Sequence, residues 1–437
     1  KTGLALGCQI ADKSWFERKN YFYPDLPKGY QISQYQAPLA ISGFLELTGK
    51  KIRIRRVHLE EDTGKLVHPA GADYSLVDFN RAGVPLMELV TEPDIVSGAE
   101  AKKFCQELQL ILRYLDVSDA DMEKGQMRCE VNISLREVKR QKPKAKTDED
   151  ILGTKVEIKN LNSFRYVERA IDYEIKRQSE SLGKDEKIIQ ETRGWDDIKG
   201  VTYSQRSKEE AHDYRYFPEP DLPPITNLSD LSQKLAAEIP EMPQQKKERF
   251  VQEYNLPMAD IEILVSQPDS VHYFEQIVSE LKDWQKIAQP KIEIVKTIKL
   301  AANYLITEIP RIANMFGATG YKLTDKITPE NFAEFVKLVS QGVVSSSGAQ
   351  AVLKEMFATG ADPSHVIQEK DLAQTSDEEE LNKTIAEIIS QNSNAVQDYK
   401  KGKQNALMFL LGKVMAATRG KANPQIVQEI LEKELEK

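Results

Sequence analysis

The sequence predicts an α+β protein: a mixed first half with a largely antiparallel sheet, then an all-helical middle domain and a small helical tail domain. Three observations carry this. Period-two alternation runs through the first half, a proline cluster then halts regular structure, and the later signals are helix signals. With 437 residues, 40% of them hydrophobic, the chain can build two or three cores rather than one. The expected domains are residues 1–227, 228–360 and 361–437.

The chain opens at Lys1 in a helical pattern whose apolar residues are Leu4, Ala5, Cys8 and Ile10. Trp15 to Gln34, WFERKNYFYPDLPKGYQISQ, mixes aromatic, basic and proline residues, which suits an ordered surface better than a generic core. Lys51 to Leu59 alternates, but Ile52 and Ile54 are out of phase with Val57 and Leu59, so a bulge is expected near Arg55 and Arg56. Met127 to Leu135 alternates without fault, with Met127, Cys129, Val131, Ile133 and Leu135 on one face. Arg128, Glu130, Asn132 and Ser134 take the other, which makes a half-buried strand with a working polar face. Lys155 to Lys159 alternates too, and Asn160-Leu-Asn-Ser163 then reads as a polar turn into a helix striped by Val167, Ala170, Ile171, Glu174 and Ile175. Either Asn162 or Ser163 caps that helix, or the donors of the turn meet an anion at its N-terminus.

Pro218, Pro220, Pro223 and Pro224 end this half, because neither helix nor strand ladder propagates through them. Beyond them Thr328-Pro-Glu330 sets an N-cap, a proline at the first helical position and an acid in the first turn, while Ser376 with Glu379 makes a capping box. Gly360-Ala-Asp-Pro363 marks a joint before the tail. The longest apolar run, Ala406 to Gly412, is far short of the roughly 20 residues of a membrane span. Cys8, Cys105 and Cys129 form no Cys-x-x-Cys pair, so no disulfide framework or zinc ribbon is expected and a reducing compartment fits. A net charge of −8 argues against a wholesale polyanion-binding coat, so any nucleic acid is held by local patches.

Four further stretches are distinctive: HLEEDTGK at 58–65, SLVDFNRAGVPLME at 75–88, HDYRYFPEPD at 212–221 and GKANP at 420–424. Together with the Trp15 to Gln34 tract they resemble the B-subunit family of the glutamine-dependent aspartyl/glutamyl-tRNA amidotransferases, from Lys1 to the C-terminus. The resemblance implies a subunit that activates the side-chain carboxylate of mischarged glutamyl-tRNA(Gln) or aspartyl-tRNA(Asn) with ATP and Mg²⁺. It implies partners as well: an amidase-type glutaminase A subunit that delivers ammonia, and a small C subunit. The setting would be the bacterial cytoplasm, or an organelle in a eukaryote. The family's chains begin with a segment holding a glutamate and a histidine that look like metal ligands, for which this sequence has no counterpart.

Amidation of a carboxylate demands activation, and a phosphoryl-transfer site needs hard oxygen ligands for the metal and cations facing the phosphates. Glu60, Glu61 and Asp62 crowd three carboxylates at a strand end, which repel unless a cation sits among them; the plain alternative is a solvated acidic turn. By resemblance Glu61 and Glu123 are the Mg²⁺ ligands, with Glu60 behind them. Lys65 and Arg128 are candidates for phosphate oxygens, or for ion pairs with the same acids. Lys159, Asn160 and Ser163 supply donors for substrate, and the resemblance sets Asn80 and Arg81 near the same cavity. His58 and His68 read as structural histidines, and Tyr214 to Pro220 as a rigid wall. In the tail, Lys400, Lys401, Lys403, Arg419 and Lys421 are expected to touch the tRNA backbone. The rival reading is a non-catalytic tRNA-binding scaffold, which gains nothing from the carboxylates Glu61 and Glu123.

Overall fold

The alternation of the first half becomes strand pairing in the first of two units, Lys1–Pro243, while Gln244–Lys437 forms the second. The computed structural model describes all residues except 48, 136–151, 208–213, 288–292, 375–377, 401, 404, 419–420 and 437. The architecture is α+β, with sheets in the first unit and helices in the second.

One sheet has the order β1 (Gln9–Ile10), β4 (Ala40–Leu47), β5 (Lys50–Glu61) and β8 (Pro85–Thr91), antiparallel throughout. The expected bulge is present: Ile54 pairs with Thr91 but Arg56 with Val90, so Arg55 is the extra residue. It turns Ile52, Ile54 and Val57 all into the core despite their mismatched phase. The helical reading of the N-terminus holds only for α1 (Thr2–Ala5), since Ile10 pairs instead with Ala40 on the sheet edge.

The second sheet has the order β12 (Val201–Ser207), β11 (Glu191–Asp196), β10 (Val156–Leu161) and β9 (Cys129–Ile133). Its one parallel pairing, β10 with β11, is made through the crossover helix α3 (Phe164–Gly183). α2 (Gly98–Tyr114) buries Phe104, Leu108 and Leu112 against the first sheet, and α3 buries Val167, Ala170 and Ile171 against the second. The two helices also pack on each other, which sets the sheets on either side of a helical layer.

The Trp15 to Gln34 tract is less a surface than expected. It forms β2 (Glu17–Asn20) and β3 (Tyr30–Ser33), joined by β13 (Phe217–Pro218), and buries Glu17, Gln31, Ser33 and Gln34 while exposing Phe22 and Tyr23. Glu17 Oε2 accepts from the backbone N–H groups of Tyr35 and Gln36, and Gln34 donates to Ser14 and accepts from Leu59 N–H. A ribbon of β6 (Lys65–Val67) and β7 (Leu76–Asp78) stands between β5 and β8 in sequence. The first unit continues past the proline cluster because α4 (Leu228–Ala236) packs on β1.

The helices that follow are α5 (Pro243–Tyr254), α6 (Met258–Val265), α7 (Pro268–Ile287), α8 (Ile294–Asn303), α9 (Ile309–Met315) and α10 (Pro329–Ser340), of which α7, α8 and α10 pack together. Thr328 caps α10 as its sequence predicts, with Pro329 at the first helical position. Gly360 closes α11 (Ser346–Thr359) at φ +74°, a left-handed conformation that favours glycine, and Asp362 caps α12 (Pro363–Glu369). The last helices, α13 (Glu378–Gln391), α14 (Ser393–Lys400), α15 (Asn405–Ala417) and α16 (Pro424–Glu436), bury their own core around Ile385, Leu410, Val414 and Leu431. Ser376 of the expected capping box lies outside the described residues. No described helix is long and apolar enough to cross a membrane.

Candidate active site

The site grows from the end of β5. His58 and Glu60, two residues apart, share a face of the strand, and His58 stands directly opposite Glu88 of β8 in register. Nε2 of His58 is 3.8 Å from a Glu60 carboxylate oxygen and 3.6 Å from one of Glu88. Ligand atoms of these three residues lie within 4.8 Å of one another, the one such group among the described residues. His58 is buried, and its Nδ1 is an enclosed nitrogen with no hydrogen-bond partner. Burial alone would push the Glu60 carboxyl up, but the His58 contact and the Lys19 charge prevail and hold it below the ordinary glutamate value.

Glu61 turns the other way. Its carboxylate accepts from Lys28 Nζ at 2.6 Å and from the Ile32 N–H at 2.9 Å, while its carbonyl accepts from Gln31. Glu123 is exposed on the turn 122–125, whose N–H groups at 123 and 124 donate to Asp121. Neither Glu61 nor Glu123 belongs to the three-residue group, because strand alternation aims Glu60, not Glu61, at His58 and Glu88.

Asp62 is the hub of the site, and the ion pair with the acids read as one alternative for Arg128 is made to it. It is buried, and its two oxygens go to two arginines: Oδ1 accepts from Arg128 at 2.8 Å and Oδ2 from Arg81 at 2.5 Å. Arg81 comes from the loop after β7 and Arg128 from the approach to β9, so one carboxylate joins elements of both sheets. Beside Arg128, Sγ of Cys129 lies 3.5 Å from Sγ of Cys105 on α2, both free thiols. The Cys105 contact pulls the Cys129 thiol below its usual value, and the same contact pushes Cys105 up.

Lys159 projects from β10 to Glu130 at 3.5 Å and Glu157 at 3.7 Å. Burial works against its charge, yet these two carboxylates outweigh it and raise its pKa above the ordinary lysine value. The expected polar turn at 160–163 is shorter than read: β10 runs on to Leu161, with a register shift between Ile158 and Leu161 that includes Asn160. The Asn160 side chain lies outside what the structure describes. Ser163 is the N-cap of α3, its oxygen accepting from Tyr166 N–H. Asn80 donates twice to Asp78 and holds the β7 turn, and Lys65 is exposed on β6 opposite Asp78. Both positions lie at Asp78 of the β6–β7 ribbon.

Tyr214 to Pro220 forms a wall. Arg18 makes a bidentate pair with buried Glu219, at 2.7 and 2.8 Å, which ties β2 to β13. Tyr216 stacks on Tyr35 at 4.7 Å, and the Lys19 ammonium lies 5.2 Å over Tyr214. Burial and the Glu60 carboxylate push the Tyr216 hydroxyl well above its ordinary value. His212 lies outside the described residues, and His68 bonds Ser75 on the ribbon, a structural contact.

In the second unit Lys403 pairs with Asp398 at 3.1 Å and Lys421 with Asp371, while Lys400 ends α14 exposed. Surface pairs of this kind are weak. Lys401 and Arg419 lie outside the described residues.

Of the residues that sequence reasoning missed, Glu88 carried a signal, as the lone charge within the apolar run Val84 to Val90. His58 and Asp62 stood out in the sequence, but their burial did not.

Comparison with known proteins sets this geometry in a family. Residues 1–233 match the model of the GatB/GatE catalytic domain, and residues 272–435 match that of the GatB domain. The B subunit of the aspartyl/glutamyl-tRNA(Asn/Gln) amidotransferase of Caldicellulosiruptor saccharolyticus is 47% identical, covering 100% of this chain and 87% of that protein. Its counterpart from Thermotoga maritima is 46% identical with the same coverage, 100% of this chain and 87% of its own length. With both domain models matched and identity sustained along its whole length, the chain belongs to the GatB family.

Proposed function

We propose that this chain is the activating subunit of a tRNA-dependent amidotransferase, which converts the side-chain carboxylate of mischarged glutamyl- or aspartyl-tRNA to the amide. ATP would supply the phosphoryl group that makes the carboxyl oxygen a competent leaving group, and Mg²⁺ would neutralise charge on the phosphates. Two of the three donors suit a hard cation: Glu60 and Glu88 offer carboxylate oxygens 3.8 and 3.6 Å from Nε2 of His58. Arg81 and Arg128 face the transferred group, Lys159 holds the substrate carboxylate, and the aromatic wall of Tyr35 and Tyr216 limits water. Ammonia comes from a glutaminase A subunit, with a small C subunit completing the assembly, and Lys400, Lys403 and Lys421 touch the tRNA backbone.

One observation carries this reading: carboxylates and arginines from both sheets meet at the end of β5, with Asp62 paired to Arg81 and Arg128 next to the Glu60 group. A scaffold that only positions tRNA has no use for buried carboxylates beside a polyanion, since each would repel it. The test is Glu60→Gln in the assembled enzyme. Loss of tRNA-dependent ADP release with tRNA affinity retained is expected; unchanged ADP release would sink the assignment.

A further inference from the structure

We infer that Asp62 is a positioning residue that fixes Arg81 and Arg128 as one clamp for the terminal phosphoryl group of a polyphosphate. The inference rests on the proposed ATP-dependent reaction and assigns a role to a residue that itself touches no substrate.

The argument begins with an imbalance. Asp62 is 5% exposed, while its partners Arg81 and Arg128 have side chains 47% and 56% exposed. One arginine would neutralise a buried carboxylate. Two leave a positive charge in excess, and it sits on the exposed side. Each guanidinium gives one terminal nitrogen to Asp62, so other N–H groups of each fork remain for a ligand. Planar forks match phosphate oxygens, and two forks held together suit a phosphoryl group with several free oxygens better than a single carboxylate.

The backbone around Asp62 is built to hold it still. Its N–H donates to the Val84 carbonyl at 2.8 Å, its carbonyl accepts from Gly83 N–H at 2.9 Å, and Val84 N–H returns to the Arg81 carbonyl at 3.1 Å. Thr63 N–H adds a third donor to the carboxylate, meeting Oδ1 at 3.0 Å. The loop that carries Arg81 is thus stitched to the residue that aims it. On the far side, a Cβ on Gly125 would come within 3.2 Å of Arg81 Nη1, and Gly125 has φ +70°. Glycine suits this left-handed position and leaves room for the turn after Glu123 to approach the guanidinium.

A bridge that merely stapled the two sheets would leave anion affinity untouched when changed. A positioning role would not, so binding to the full chain is the readout. Inorganic tripolyphosphate and ATP are titrated separately against wild type, Asp62→Asn, Asp62→Glu and the double variant Arg81→Gln/Arg128→Gln, with unfolding midpoints recorded in parallel. Asp62→Asn should weaken tripolyphosphate about tenfold or more, Asp62→Glu should restore most of it, and the double variant should abolish it. Wild-type affinity in a folded Asp62→Asn protein overturns the inference. Should that variant fail to fold, Arg81→Lys keeps the charge without the fork: a loss of about fivefold or more supports the clamp, and none overturns it. Tripolyphosphate binding through the arginines with no ATP binding would leave the clamp standing and defeat the ATP-dependent reading instead.

Discussion

Arg18 and Glu219 show how a single pair can serve a site at a distance. Their bidentate contact closes β2 on β13 and so holds the tyrosine wall beside Glu60. The Arg18 hydrogen bonds keep the Glu219 carboxyl below its ordinary value of 4.5. A depressed folded-state pKa contributes stability that is present above the unfolded value and is lost as pH falls through the folded one. Glu219→Gln should therefore lower the unfolding midpoint at pH 7 and shrink the loss of stability between pH 4.5 and more acid solution. Parallel melts of wild type and variant from neutral to acid pH check this; equal slopes below pH 4.5 would contradict it. Nothing in the linear order of residues 18 and 219 announced the pair, whereas the polar tract around Arg18 was conspicuous by composition. Residue-scale chemistry was legible where it was local, whereas the contacts of Asp62 with Arg81 and Arg128 and of His58 with Glu88 join residues far apart in the chain.

Elements were easier to read. Alternation located β5, β9 and β10, and even the phase slip that becomes the Arg55 bulge, because side chains on a half-buried strand must obey a period of two. The misreading was one of extent. The polar residues Asn160 to Ser163 suggested a turn, but pairing with β9 through Leu161 carries the strand further. Ser163 then falls at the cap, with its oxygen 3.2 Å from Tyr166 N. Ser163→Ala should cost about 1 kcal/mol of stability and leave the Michaelis constant for ATP unaltered. Steady-state kinetics beside a denaturant melt would decide; a raised constant with no loss of stability would return Ser163 to the substrate.

At the scale of the whole chain, the two units differ in what they can lose. The first holds every carboxylate and arginine of the candidate site, while the last four helices close a core of their own around Leu410. Truncation before Glu378 should accordingly leave the first unit folded, weaken tRNA binding and flatten its dependence on salt, since each lost phosphate contact removes released counterions. Filter binding over a range of salt concentrations tests this, and an unchanged slope would remove the tail from the interface. The central claim is activation of the substrate carboxylate at the end of β5. Its most direct measurement is the ratio of ADP released to amide formed on mischarged tRNA, with ammonium in place of glutamine so that no glutaminase step intervenes. The account predicts ADP and amide in equal amounts, both lost in Arg128→Ala while tRNA still binds; amide formed without ADP release would contradict it.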